Sequence, residues 1–201
     1  MTDRSPNVVW QSGGADAATR VALFKHSPVT VWLTGLPGAG KTTLAFALEK
    51  ALLAQEHAAY VLDGDNIRHG LCRDLGFSPE DRSENIRRIA EVARLMNDAG
   101  LIVIAAFVSP TAADRNMARS CIGSERFIEV HVATPLAVCE QRDPKGMYKR
   151  ARQGEIADYT GVSSPYEVPE APALSLDTSR DSVSDSCAQI LHLLETEIAA
   201  H

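Results

Sequence analysis

The chain has 201 residues, of which 45% are hydrophobic and 23% charged, with a formal net charge of −6. That length suits one domain spanning 1–201 with a sizeable core, and the acidic balance argues against a general nucleic-acid binder, whose footprint is basic. The cysteines (Cys72, Cys121, Cys139, Cys187) are dispersed without a C-x-x-C pair and the histidines lack ligand spacing, which points to free thiols in a reducing compartment and away from zinc.

The leader Met1-Thr-Asp-Arg-Ser-Pro-Asn7 is polar and lacks the apolar stretch of a signal peptide. Residues 16–25 read as a short helix. The apolar run Val29-Thr-Val-Trp-Leu33 reads as a buried strand, and Thr43–Leu53 as a helix. Between them lies Gly35-Leu36-Pro37-Gly38-Ala39-Gly40-Lys41-Thr42-Thr43, which fits G-x-x-x-x-G-K-[ST]. Glycines at 35, 38 and 40 let the backbone curl so that N–H groups converge on one anion, helped by the positive end of the helix. Lys41 then reaches the β- and γ-phosphates of a nucleotide, and the Thr42 hydroxyl ligates Mg²⁺.

A strand over 58–62 leads to Asp63-Gly64-Asp65. At the carboxyl end of a strand beside the first, two acids bracketing a glycine can divide their work. Of Asp63 and Asp65, one can turn toward the metal region and the other toward an acceptor hydroxyl; the simpler alternative is a turn in which Asp65 caps the next helix. Helices are expected over 41–55, 66–72 and 80–99. On the last of these Arg82 and Asn85 share a face with Ile86 and Ile89, so Arg82 points inward and must find an anion, either a carboxylate or a bound substrate. The run Leu101–Phe107 is a third buried strand, followed by a helix at 111–121, a strand at 126–132 and a helix at 135–141. The longest apolar run, Leu101–Val108, is far too short to cross a bilayer, so a cytoplasmic protein without a membrane partner is expected. Residues 142–172 break the rhythm, with charge, Gly, Pro and scattered apolar positions, and read as a lid carrying Arg142, Lys145, Lys149, Arg150 and Arg152. A strand at 173–176 and a helix at 181–198 complete the pattern. Nearly continuous apolar strands alternating with helices predict an α/β fold: a three-layer doubly wound sandwich on a mainly parallel five-stranded sheet.

The run Asp63-Gly-Asp-Asn-Ile-Arg-His-Gly-Leu-Cys-Arg-Asp-Leu-Gly-Phe-Ser-Pro-Glu-Asp-Arg-Ser-Glu-Asn-Ile-Arg-Arg88 resembles the adenylylsulfate kinase (APS kinase) family. Supporting stretches are Ala106–Pro110, Phe127–His131, Cys139–Tyr148 and Tyr159-Thr-Gly161 with Pro165-Tyr-Glu167, so the likeness runs from about Asn7 to Thr178. The resemblance implies a P-loop kinase fold and transfer of the ATP γ-phosphoryl group to the 3′-hydroxyl of adenosine 5′-phosphosulfate. The products would be 3′-phosphoadenosine 5′-phosphosulfate and ADP, with Mg²⁺ as cofactor and a homodimer as assembly. It further implies Asp65 as the acceptor-site carboxylate and Arg68, Arg82 and Asn85 as ligands of the phosphosulfate and ribose. Phe77 and Tyr159 would cover the two faces of the substrate adenine, and Lys145 would be a lid cation near the phosphates. Ser109 matches a serine given a phosphoserine role in the family; direct in-line transfer needs no such step. Pro37 and Thr42 stand where the family more often has Ser, Tyr159 where Phe is usual, and Thr111-Ala112 where an aromatic or His and then Arg are common.

Two other classes share parts of this pattern. A nucleoside monophosphate or sugar kinase would have the loop, sheet and lid but not the 63–88 block. A GTP-dependent switch protein wants an [NT]-K-x-D motif, and no lysine here provides one.

Overall fold

A computed structural model describes residues 8, 9, 11 and 13–199. The leader through Asn7, on which the signal-peptide expectation rests, lies outside them. The elements are α1 (Ala17–Phe24), β1 (Thr30–Thr34), α2 (Lys41–Ala54), β2 (Ala59–Asp63), α3 (Pro79–Asp98), β3 (Ile102–Ala106), α4 (Ala112–Ile122), β4 (Phe127–Val132), α5 (Leu136–Arg142), α6 (Met147–Arg152), β5 (Leu174–Leu176) and α7 (Val183–Glu197). The five strands form one wholly parallel sheet in the order β2-β3-β1-β4-β5. β1 is central, with Thr30–Leu33 opposite Val103–Ala106 on one side and Thr30–Thr34 opposite Phe127–His131 on the other. The chain leaves β1 between two neighbours reached by crossovers, and such a switch point opens a crevice at the carboxyl ends of the strands.

Side-chain alternation along the strands builds two cores. Val31 and Leu33 face Leu44, Leu48 and Leu52 of α2 and Ile190 and Leu194 of α7. Trp32 points the other way, toward Ile86, Ile89 and Ala93 of α3 and Ala118 and Ile122 of α4, with its ring 5.7 Å from that of Phe107 and 5.6 Å from that of Phe127. All five residues of β1 are buried, which is why its sequence is an apolar run rather than an alternation.

Four helices start with a side-chain cap: Asp16, Ser78, Thr111 and Ser182 accept from the backbone N–H three residues on. α2 does not. It starts at Gly40, whose φ is +96°, with no capping side chain.

Two expectations are corrected. The helix anticipated at 66–72 is a single 3-10 turn, Asn66–His69, ended at Gly70, whose φ of −135° and ψ of −90° leave the helical region. The segment 142–172 holds a helix, α6, where none was expected. Tyr148 and Ala151 are its buried residues, too few for a periodic signal to show. Its start is fixed from outside by Asp143, whose carboxylate accepts from the N–H groups of Tyr148 and Lys149, each at 3.0 Å.

At the sheet's β2 edge, the Glu49 carboxylate of α2 accepts from the Val61 N–H at 2.9 Å. Among the described residues, no helix is long and apolar enough to cross a membrane.

Candidate functional site

The loop after β1 has most of its carbonyls engaged and, apart from the Ala39 N–H on Leu36 O, several of its N–H groups without an acceptor among the described residues. Gly35 O and Leu36 O both accept from the Lys41 ammonium at 2.8 Å, and Pro37 O accepts from the Tyr148 hydroxyl at 2.9 Å. The N–H groups of Gly38, Gly40, Lys41, Thr42 and Thr43 have no acceptor among the described residues. Backbone donors clustered at an uncapped helix start, beside the positive end of the dipole, form an anion cradle. Gly35 makes the turn feasible: its φ is +149°, and a Cβ there would sit 2.4 Å from Val132 O. Lys41 is buried, and burial pushes its ammonium down to about 8, against smaller raising effects from Cys139 and Asp63. Its ammonium folds back on its own loop.

Thr42 donates from Oγ1 to Asp63 Oδ2 at 2.8 Å, joining the start of α2 to the end of β2. The other carboxylate oxygen of Asp63 accepts from Asp65 N at 3.0 Å and Asn66 N at 3.2 Å. The turn is therefore organised by Asp63, and Asp65 makes no capping bond. Asp65 presents its carboxylate to solvent and is ion-paired with Lys145, two-thirds exposed like its partner. The sequence-expected acceptor carboxylate and lid cation thus meet across 80 residues of chain.

Arg82 meets no carboxylate among the described residues; it donates to Phe77 O at 2.9 Å, to Thr160 Oγ1 at 3.0 Å and to Asp158 O. Its three partners are neutral oxygens, two of them from the segment after α6. Arg68 donates to Leu75 O and Gly76 O, and its guanidinium lies 4.3 Å over the ring of Phe77. Phe77 is 65% exposed, far more than a core residue of its size. Asn85 is buried on the inward face of α3, as its spacing predicts, and its side-chain oxygen has no partner among the described residues. Tyr159 packs edge-on to Tyr148, their ring centroids 5.1 Å apart.

Of the other basic residues between α5 and β5, Arg142 donates to Thr178, Arg150 pairs with Glu155 and Arg152 with Glu140. Ser109 is 2% exposed, with a φ of +38°. Its hydroxyl accepts from Trp32 Nε1 at 3.1 Å and donates to Thr34 Oγ1 at 3.0 Å, and its carbonyl accepts from Arg115 at 2.9 Å. Thr111 caps α4, and the Ala112 N–H donates to the Glu167 carboxylate at 2.6 Å. Sequence reasoning gave no role to Tyr148, Thr134 or Thr178. Tyr148 lay inside a recognised stretch, whereas the threonines belong to no pattern.

The family model for adenylylsulphate kinase matches residues 27–177. An adenylyl-sulfate kinase from Shewanella denitrificans is 55% identical over 199 residues, 98% of this chain and 95% of that protein. A solved structure of the Mycobacterium tuberculosis APS kinase in complex with AMPPNP and APS is 46% identical with a TM-score of 0.81, covering 84% of this chain and 98% of that one. A hexameric APS kinase from Thiobacillus denitrificans is 34% identical with a TM-score of 0.66, covering 86% of this chain and 30% of that one. By family match and near full-length identity, on a phosphate loop and an acidic strand end that suit the chemistry, the chain belongs to the adenylylsulphate kinase family.

Proposed function

We propose that the protein transfers the γ-phosphoryl group of ATP to the 3′-hydroxyl of adenosine 5′-phosphosulfate. The observation that carries this is Asp65. An exposed carboxylate stands two residues beyond Asp63, which is itself bonded to the phosphate loop through Thr42. A hydroxyl between that carboxylate and the loop could be oriented and deprotonated as its oxygen attacks in line. Leaving its bonds to Gly35 O and Leu36 O, Lys41 turns to the β- and γ-phosphates. Lys145, freed from Asp65 by the incoming hydroxyl, adds positive charge on the opposite side.

On the acceptor side, Phe77 offers a stacking face and Tyr159 the second. Arg68 and Arg82 supply charge for the phosphosulfate, and the unpaired oxygen of Asn85 would accept from a substrate donor. Thr42 and Asp63 fit Mg²⁺: two oxygen ligands 2.8 Å apart match an ion that keeps waters and substrate phosphates in its shell. When bound, the ion neutralises charge developing on the phosphates. The segment 142–172 acts as a lid within a single kinase domain, already touching both half-sites through Tyr148, Lys145 and Thr160. A homodimer is the assembly the resemblance implies, in the cytoplasmic setting expected from the polar leader and short apolar runs, and sedimentation of the purified chain tests the assembly.

The decisive assay is ADP release from Mg-ATP with adenosine 5′-phosphosulfate, run beside AMP, CMP, UMP and no acceptor. Turnover confined to the phosphosulfate, with a product bearing both sulfate and 3′-phosphate, supports the assignment; turnover of a monophosphate overturns it.

Ser109 fits a scaffolding role, since its proton and one lone pair are already committed in the core. Ser109→Ala is expected to retain kcat within about threefold. It should lower stability by about 1–3 kcal/mol, because the buried Trp32 N–H loses its acceptor. Loss of turnover with unchanged denaturant stability would restore a covalent role.

A further inference from the structure

The Ala39 carbonyl, inside the phosphate loop, is gripped by two threonines from distant elements. Thr178 Oγ1, just beyond β5, donates to it at 2.8 Å. Thr134 Oγ1, just beyond β4, lies 3.1 Å from the same carbonyl and 2.8 Å from Thr178 Oγ1. Arg142, at the end of α5, donates to Thr178 Oγ1 at 2.8 Å and to Thr178 O at 2.7 Å.

A hydroxyl has one proton and two acceptor sites. With Arg142 filling one acceptor site of Thr178 and Thr134 available for the other, the Thr178 proton is directed to Ala39 O. The peptide plane then transmits the constraint, because the Ala39 carbonyl and the Gly40 N–H project to opposite sides of one rigid unit. Gly40 N–H is among the donors without an internal acceptor. Thr178 also packs on that glycine: a Cβ at Gly40 would lie 3.2 Å from Thr178 Oγ1.

We infer that Thr178, oriented by Arg142 and seconded by Thr134, is a positioning residue that aims the Gly40 N–H at the phosphates of ATP. The inference rests on ATP as phosphoryl donor, as proposed above, and not on the identity of the acceptor.

The test compares Thr178→Val, which keeps the shape, with Thr178→Ser, which keeps the hydroxyl. Binding of the β,γ-imido analogue of ATP and of inorganic tripolyphosphate, each with Mg²⁺, is measured by calorimetry beside steady-state kinetics. Thr178→Val is expected to weaken both probes by about 5- to 10-fold, the effect of one well-placed hydrogen bond. It should raise KM for ATP equally and leave KM for the acceptor unchanged, while Thr178→Ser stays within about twofold of the parent. Thr134→Val should show a smaller loss in the same direction, and the double variant little more than Thr178→Val alone, since Thr134 acts through the Thr178 hydroxyl.

Tripolyphosphate bound by Thr178→Val at parental affinity would overturn the inference, as would a loss confined to the nucleotide probe, which would place Thr178 against the nucleoside. A Ser variant as weak as the Val variant would overturn it too. Should Thr178→Val fail to fold, Thr134→Val carries the same test. A parent that binds both probes but leaves adenosine 5′-phosphosulfate untouched would sink the proposed function and leave this inference standing.

Discussion

Asp65→Asn is expected to lower turnover by about 10²- to 10⁴-fold while ATP affinity stays within about twofold, the loss associated with removing a positioned general base. The structure separates this residue from its neighbour. Asp63 is buried, receives the N–H groups of Asp65 and Asn66 and bonds Thr42, so the turn and its link to the phosphate loop do not use the Asp65 side chain. Asp65 is exposed, with Lys145 as its ion-pair partner, and surface pairs of this kind add little stability. The variant should therefore fold normally. kcat and nucleotide binding on the same preparation decide the matter: full turnover would remove Asp65 from the acceptor site, and a parallel collapse of ATP binding would show that it serves the loop.

Lys41→Met should be as damaging in the opposite half of the site, cutting kcat/KM for ATP by about 10³-fold or more, since in the proposed reaction the lysine is the loop's cation for the transferring group. Its burial also gives the free protein a pH signature. With an ammonium that titrates at about 8, the charged form needed for phosphate binding is lost as pH rises through that value. Affinity for the β,γ-imido analogue is expected to be level below pH 7 and to decline above 8. The effect on folding has the opposite sign: between about 8 and the unperturbed 10.5 the unfolded chain binds more protons, so stability contributed by this group rises with pH. Lys41→Met should flatten both trends. A decline in affinity that persists in that variant assigns the titration elsewhere.

The phosphate loop was legible because its glycines and Lys41 sit at fixed chain offsets, so local spacing alone determines the geometry. The same holds for the start of α3, found at Pro79 against an expected 80, and for the inward face that buries Asn85, Ile86 and Ile89. Long-range partnerships were less so. The inward direction of Arg82 was readable, but two of its three acceptors are a backbone carbonyl and a hydroxyl 76 and 78 residues away, and no composition rule distinguishes those from a carboxylate. α6 escaped notice because six residues with two buried positions do not establish a period. Thr134 and Thr178 were invisible for a different reason: threonine is an ordinary residue after a strand, and only parallel pairing of β4 and β5 puts both beside Ala39. Resemblance brought Ser109 forward as a reactive group, whereas its burial against Trp32 became visible only with β1 and β3 side by side.

The Glu49 carboxylate on Val61 reaches beyond the nucleotide site. An open parallel sheet ends in two unpaired margins, and a flat, apolar margin invites another chain to lie against it. Here one margin, β5, is three residues long. The other, β2, has an outward N–H already taken by the protein's own acid. An incoming strand would have to displace that acid and accept a negative charge beside it. The same helix that begins at the phosphate loop thus guards the sheet, about two turns later, against edge-to-edge strand pairing.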